Sequence, residues 1–130
     1  MLRYARLAHA GLAWLVPVVV LVQAFLAGMF VFGQSQFRAT HIEVGYSIAG
    51  LIVFAFLVSL VFTRPDRLQV GLVVLVVVVY FVQTLLPVAA RSGLPVVAAL
   101  HPVNAFVLFG LGLVTARRAT ERARATELPG

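Results

Sequence analysis

Long apolar runs separated by short polar segments make up most of the chain, and they recur four times. Each run approaches the 20 or so residues that an α-helix needs to cross a bilayer core about 30 Å thick. The sequence therefore predicts an all-α integral membrane four-helix bundle, with spans near residues 11–33, 41–63, 68–90 and 99–116. The first run is too long for the apolar region of a signal peptide and ends without a small-residue cleavage site, so it is interpreted as a helix.

The polar segments between the runs carry turn-forming and charged residues. They occupy residues 34–40, 64–67 and 91–95, and the last two contain proline. Connections of this length join antiparallel neighbours, which predicts an up-down-up-down bundle in one domain over residues 1–130.

Composition supports a lipid environment. The chain is 62% hydrophobic and only 11% charged, whereas soluble domains carry about 25% charged residues. It contains no cysteine, which excludes disulfides, thiolate metal sites and thiol nucleophiles. Nucleotide-binding glycine loops, carboxylate pairs, Ser-His-Asp sets and HExxH motifs are also missing from the sequence, so neither a hydrolase nor a kinase is indicated.

All ten basic residues are arginine, and their distribution is uneven. One side of the predicted membrane carries Arg3, Arg6, Arg64, Arg67, Arg117, Arg118, Arg122 and Arg124, and the other carries Arg38 and Arg91. The positive-inside rule then predicts a multi-pass protein of the cytoplasmic membrane with both termini in the cytoplasm. The basic excess, including the arginine-rich tail 117–130, indicates contact with lipid headgroups rather than with nucleic acid. The fourth helix is expected to continue a turn or two into this tail before the chain frays at residues 128–130.

The chain matches itself at an offset of 60 residues. The polar and glycine matches are Gln23 with Gln83, Gly33 with Gly93, His41 with His101 and Gly50 with Gly110. Each half contains two spans, so a tandem two-helix repeat would place both copies in the same orientation. The alternative explanation is chance, since a chain built largely from a few types of apolar residue matches itself often.

The two repeated histidines are the main candidates for chemistry. His41 and His101 are each expected to open a helix at the extracytoplasmic side, at the same depth. With neighbouring helix axes about 8–10 Å apart, the diagonal between the second and fourth helices is about 11–14 Å. This leaves room for two imidazoles and a group between them, and haem iron accepts two axial histidines on opposite sides.

Several neighbours of the histidines fit a haem site. Gly45 and Ala105, one turn further along, would leave clearance for a macrocycle, although small residues also serve simple helix packing. Arg38 and Arg91 could hold the haem propionates, or they are ordinary loop charges.

The remaining polar residues have less specific roles. Asn104, with Glu43 as the other candidate, is expected to bond the second ring nitrogen of a histidine. Tyr46 is expected to line the bundle near the site. Gln23 and Gln83 are expected to bond each other or the backbone of another helix, or else to contact a cofactor edge or a quinone. His9 is interpreted as an interfacial residue, and Trp14, Tyr4 and Tyr80 as interface or packing aromatics.

With His41 and His101 on the second and fourth helices, the chain resembles one four-helix half of a haem A synthase-type membrane protein and, more loosely, the small transmembrane b-type cytochromes. Its Leu100–Asn104 segment also resembles the last helix of small uncharacterised bacterial membrane proteins. The resemblance implies one haem b with His41 and His101 as axial ligands. Phe37 and Arg38 stand where the synthases have an acidic residue, so synthase activity is not implied.

These observations predict a bis-histidine haem protein that transfers single electrons near the extracytoplasmic face. Two alternatives stay open: a cofactor-free accessory or scaffold subunit of a larger membrane complex, and a small homo-oligomeric transporter module that uses Gln23 and Gln83. Buried charges and broken helix pairs, which mark transporter sites, are not found in the predicted spans.

Overall fold

The computed structural model describes residues 1–125 and is helical throughout its regular elements. The helices are α1 (Leu2–Val31), α2 (Phe37–Glu43), a π-helical segment (Val44–Ile48), α3 (Ala49–Leu60), α4 (Arg67–Arg91), α5 (Pro95–Ala98) and α6 (Leu100–Arg124). Together they form four spans, Leu2–Val31, Phe37–Leu60, Arg67–Arg91 and Pro95–Arg124, each long and apolar enough to cross a membrane. Their mean hydropathies run from 1.9 to 2.6.

Large apolar side chains cover the outside of the bundle. Phe25, Phe54 and Phe106 are 63%, 64% and 78% exposed, and none of them packs into the core. A soluble protein rarely exposes contiguous apolar surface of this kind. The length, composition and surface of the four spans are those of a multi-pass membrane protein.

The four spans form a ring in chain order. The first span packs against the second and the fourth, and the third packs against the second and the fourth. The first and third spans are therefore diagonally opposed, as are the second and the fourth. Buried valines from three spans, Val16, Val53 and Val73, fill the centre together with Phe56 and Leu108.

Two helix starts differ from the predicted positions. The first span begins at Leu2 rather than near residue 11, because residues 2–10 contain neither proline nor glycine before Gly11. The second span begins at Phe37, so the expectation that His41 opens its helix is wrong. No helix breaker lies between the Gly33 turn and His41, and the histidine consequently sits one turn inside the helix.

The fourth span agrees more closely with its prediction. Helix α6 begins at Leu100, which places Pro102 in its first turn, where a missing backbone N–H costs no hydrogen bond. The helix continues to Arg124, about two turns beyond residue 116, as expected for the tail. Residues 126–130 of the predicted tail lie outside the residues that the structure describes.

The first and third spans end in the same turn, at positions 60 residues apart. Gly33 and Gly93 adopt positive φ angles of 99° and 77°, which favour glycine because it has no Cβ. Beyond each glycine, a main-chain N–H closes the turn: Gln34 donates to Met29 O and Leu94 donates to Ala89 O, both at 2.9 Å. This pair of turns is a Schellman-type helix ending, and it gives both halves the same chain reversal.

Asp66 connects the helices at the opposite end of the bundle. We call this end the arginine end, because it carries Arg3, Arg6, Arg64, Arg67, Arg117, Arg118, Arg122 and Arg124. Its carboxylate caps α4 by accepting the Gln69 main-chain N–H at 2.8 Å, and it pairs with Arg118 at 2.8 Å and with Arg122. The Gln69 N–H, followed by the two guanidinium groups, holds the pKa of Asp66 below its usual value. The corner between the second and third spans is thereby tied to the end of the fourth.

The first and fourth spans approach each other closely at Gly112. A Cβ atom there would lie 3.1 Å from both Val16 Cγ1 and Pro17 Cδ. At Gly110, two residues earlier, a Cβ would meet no atom within 4 Å. Gly112 therefore permits the contact between the two spans, whereas Gly110 has no packing role among the described residues.

We expect Gly112→Val to lower the free energy of unfolding by about 1–3 kcal/mol, since overpacking forces backbone shifts of this cost. The matched control is Gly110→Val, which changes helix propensity in the same way but points into open space. Unfolding of the detergent-solubilised protein, followed by circular dichroism, gives the comparison. Equal destabilisation by the two variants would show that the spans do not meet at Gly112.

Candidate functional site

The structure brings the two repeated histidines into contact. His41 on the second span and His101 on the fourth are half-buried, and their ring centroids lie 6.2 Å apart with the ring planes at 83°. These spans are diagonally opposed, so the pair lies between all four spans. We call the end of the bundle that contains this pair the histidine end.

Each histidine contacts the backbone of a glutamine 18 residues earlier. His41 Nδ1 lies 3.2 Å from the main-chain oxygen of Gln23, and His101 Nδ1 lies 3.0 Å from that of Gln83. A carbonyl oxygen only accepts hydrogen bonds, so the imidazole is the donor in such a contact. An imidazole that donates from Nδ1 keeps its lone pair on Nε2.

In the second half, side chains reinforce this arrangement. The Gln83 amide nitrogen donates to His101 Nε2 at 3.2 Å, which fits a ring whose proton is on Nδ1. The Gln83 amide oxygen accepts from Asn104 Nδ2 at 2.8 Å, and the same Asn104 group donates to Val79 O at 3.0 Å. Asn104 was expected to bond the histidine directly. It instead reaches the third span and holds the glutamine that bonds His101.

In the first half, the Gln23 amide is inserted into the backbone of the second span. Its nitrogen donates to His41 O at 3.0 Å, and its oxygen accepts the Gly45 N–H at 3.1 Å. An unbroken α-helix would pair those two backbone groups directly. The π-helical segment begins at Val44, next to the inserted amide, as is usual where a side chain enters the helical ladder.

Gly45 makes room for this amide. A Cβ at position 45 would lie 3.4 Å from the nearer terminal atom of the Gln23 amide, so the space predicted to accommodate a macrocycle holds a glutamine side chain in this structure. The bond from Gln23 to another helix's backbone is one of the two forms predicted for this residue. The Gln23 amide nitrogen also lies 2.8 Å from His41 Nδ1. His41 Nδ1 thus faces both a donor and an acceptor, and either tautomer of this ring is accommodated.

Tyr80 closes the core next to the inserted amide. Its hydroxyl donates to Gly45 O at 3.1 Å and lies 3.0 Å from the place where a Gly50 Cβ would stand. The ring is only 8% exposed, in agreement with a packing role. The sequence analysis did not connect Tyr80 with Gly45 and Gly50, since only the packing of the second span on the third brings them together.

Other predicted site residues lie further out. Tyr46 is 53% exposed, and its hydroxyl donates to Thr84 O at 3.2 Å, so it lies on the surface between the second and third spans rather than lining the interior. Arg38 and Arg91 are exposed at the histidine end, and their side chains make no hydrogen bond or ion pair with the residues described. Ala105 packs against the core, and Glu43 is exposed.

His9 is not the interfacial residue that was expected. It is 3% exposed and stacks on Phe56 with ring centroids 4.8 Å apart. Its Nδ1 lies 2.8 Å from Ser59 Oγ and its Nε2 lies 3.0 Å from the Gln69 amide nitrogen. Ser59 uses its own proton on Phe56 O at 2.7 Å, so it accepts the Nδ1–H of His9, and Nε2 accepts from Gln69.

The position of His9 follows from the ring of spans. Gln69 lies 60 residues after His9, and the first and third spans that carry them are diagonally opposed. Two pairs of residues at this offset meet across the centre of the bundle: His9 with Gln69 toward the arginine end, and His41 with His101 toward the histidine end. The 60-residue offset could have predicted this contact. It was missed because the offset pairs His9 with a glutamine rather than with a second histidine.

The donor set at the histidine end consists of two imidazoles. Among residues 1–125, no group of three or more histidine, cysteine, aspartate or glutamate side chains is placed to hold a metal ion. A metal ion or cofactor bound at this site would therefore receive only two nitrogen ligands from the described residues.

Comparison with known proteins returned no matching family model, no matching curated protein and no matching solved structure.

We expect Asn104→Val to destabilise the protein by about 1–3 kcal/mol, because the Gln83 amide oxygen loses its partner in an apolar setting. Valine is chosen because residue 44, at the equivalent position of the first half, is already valine. The control is Thr84→Val, which removes a hydroxyl bonded only to Phe81 O one turn away and should cost less than about 0.5 kcal/mol. A chemical unfolding series in detergent measures both. If Asn104→Val left the stability unchanged, the hydrogen bond from Asn104 to Gln83 would not contribute to the fold.

Proposed function

We propose that the chain is a membrane-embedded haem protein that holds one b-type haem between His41 and His101 and transfers single electrons. The observation that carries the proposal is the pair of imidazoles facing each other from diagonal spans, with ring centroids 6.2 Å apart and each Nδ1 beside a main-chain oxygen.

The separation of the rings suits axial ligation. A metal held linearly between two imidazole nitrogens, at about 2 Å from each, places the ring centroids on the order of 6 Å apart. The main-chain oxygens of Gln23 and Gln83 can accept the Nδ1 protons, and histidine ligands in metal sites commonly donate their second N–H to such a group. Haem bound this way would supply a one-electron couple.

Other residues of the chain would adjust to the haem and bind its propionates. Gln83 would release the Nε2 of His101, to which it now donates, while Asn104 keeps a bond to the glutamine oxygen. Arg38 and Arg91 are exposed at the same end of the bundle, where they would pair with propionates. Because both axial positions would be protein ligands, no open position would be left for oxygen chemistry, which favours electron transfer over catalysis.

A second candidate is a cofactor-free scaffold subunit. One observation favours it: both ring nitrogens of His101 already have partners within the protein, the main-chain oxygen and the amide nitrogen of Gln83. In that case the histidine pair would be a packed polar contact that joins the two halves of the bundle, as His9 and Gln69 do.

Visible spectroscopy separates the two candidates. We expect the detergent-purified protein, supplied with haem during expression, to give a low-spin reduced-minus-oxidised spectrum that is lost in His41→Ala and in His101→Ala. His9→Asn is the matched control, because it removes a buried histidine outside the pair and should leave the haem content per folded protein unchanged. A colourless wild-type protein would favour the scaffold. Equal loss of the spectrum in all three variants would overturn the assignment of His41 and His101 as the haem ligands.

We also propose that the arginine end faces the cytoplasm of a bacterial cell, with the histidine end on the outer side of the inner membrane. The excess of arginine at one end supports this orientation. Since the chain contains no cysteine, single cysteines report it without background. Ser35→Cys, in the exposed turn at the histidine end, should react with a membrane-impermeant maleimide in intact spheroplasts. Ala125→Cys should react only after lysis, and the reverse pattern would invert the topology.

A further inference from the structure

A groove at the arginine end lies between the third and fourth spans, away from the histidine pair. Its volume is about 330 Å³, and it is lined by Leu68, Leu72, Val114, Arg117, Arg118 and Glu121. The apolar residues form one wall, and the two arginines lie one helical turn after Val114 on the fourth span. The groove therefore joins an apolar surface to a cationic rim.

The apolar wall belongs to the outer surface of the bundle. Leu68 and Val114 are 56% and 54% exposed, so this side of the groove is open to whatever surrounds the spans. For helices that cross a membrane, the surroundings of such a wall are acyl chains. The rim then lies at the level where phospholipid headgroups begin.

The cationic rim is incompletely satisfied. Asp66 binds one terminal nitrogen of Arg118, but the buried Nε of Arg118 has no hydrogen-bond partner among the described residues. Arg117 is exposed and makes no ion pair in the same part of the chain. Glu121 is a counter-charge on the rim and likewise has no ion-pair partner within the described residues.

The charge around the groove favours an anion. Eight arginines lie at this end, at positions 3, 6, 64, 67, 117, 118, 122 and 124, and the described acidic residues there are Asp66 and Glu121. Asp66 is already shared by Arg118 and Arg122. Guanidinium groups favour phosphate oxygens because their N–H donors match the geometry of the anion.

We propose that this groove is a binding site for an anionic phospholipid. Its phosphate would accept hydrogen bonds from Arg117 and from the unpartnered Nε of Arg118, and an acyl chain would lie along Leu68, Leu72 and Val114. The apolar wall is the reason for assigning a lipid rather than a free phosphate ion. The site does not depend on the histidine pair or on any cofactor.

Native mass spectrometry of the full chain in detergent tests the site. The probes are phosphatidylglycerol and phosphatidylcholine with the same acyl chains. We expect phosphatidylglycerol to be retained preferentially, and Arg117→Gln to weaken its binding about tenfold, the effect of losing one hydrogen bond between charged groups. Arg117 is suited to the test because it has no ion pair whose loss would disturb the fold.

The matched control is Arg124→Gln. It removes the same charge from the same end of the fourth span, but Arg124 does not line the groove, so phosphatidylglycerol binding should fall less than twofold. Equal weakening by the two variants would mean that the lipid is attracted by the general positive charge of this end and not bound in the groove, which would overturn the proposal. Equal retention of phosphatidylcholine would also overturn it, as would full displacement of the lipid by millimolar inorganic phosphate.

Discussion

The need to give polar side chains hydrogen-bond partners inside an apolar bundle is the constraint on which this structure depends. A polar group without a partner is costly in a low-dielectric interior. His9 accordingly bonds Ser59 and Gln69, and Gln83 bonds both His101 and Asn104. These contacts join diagonally opposed or neighbouring spans. These polar contacts therefore add directional links between the spans to the packing of the valines and leucines around them.

The two halves of the chain provide their buried glutamine side chains with different hydrogen-bond partners. In both, the main-chain oxygen of a glutamine faces the Nδ1 of a histidine 18 residues later. The second half supports its glutamine with Asn104. The first half has valine at the equivalent position and places the Gln23 amide in the helix backbone beside Gly45. This difference leaves the ring of His101 with a defined proton position and allows either position in His41. Two histidines that match in sequence are therefore chemically unequal, and the adaptable one is adjacent to the π-helical segment.

Much of the fold and part of the candidate site could be predicted from the chain. The four apolar runs, the Arg64–Arg67 corner and the start of the last helix near His101 follow from hydropathy, proline and glycine. The opposition of His41 and His101 across the bundle was expected from their equal depth on diagonal spans, whereas their direct ring contact was not. The roles of Asn104, Tyr46 and Gly45 were assigned differently, because a residue's distance along one helix does not reveal which neighbouring span its side chain reaches. His9 was placed at the interface for the same reason, although its partner stands at the repeat offset.

The sequence by itself determined the number of spans, their order and the concentration of arginine at one end, because apolar length and charge act locally along the chain. It also determined which polar residues would have to find partners. Only the tertiary structure decided what those partners are: the Gln23 amide between His41 and Gly45, the buried link from His9 to Gln69, and the open rim at Arg117. Each depends on the distance between side chains of different spans. That distance is decided by how the helices pack, as at Gly112 against Val16 and Pro17, and no single segment encodes it.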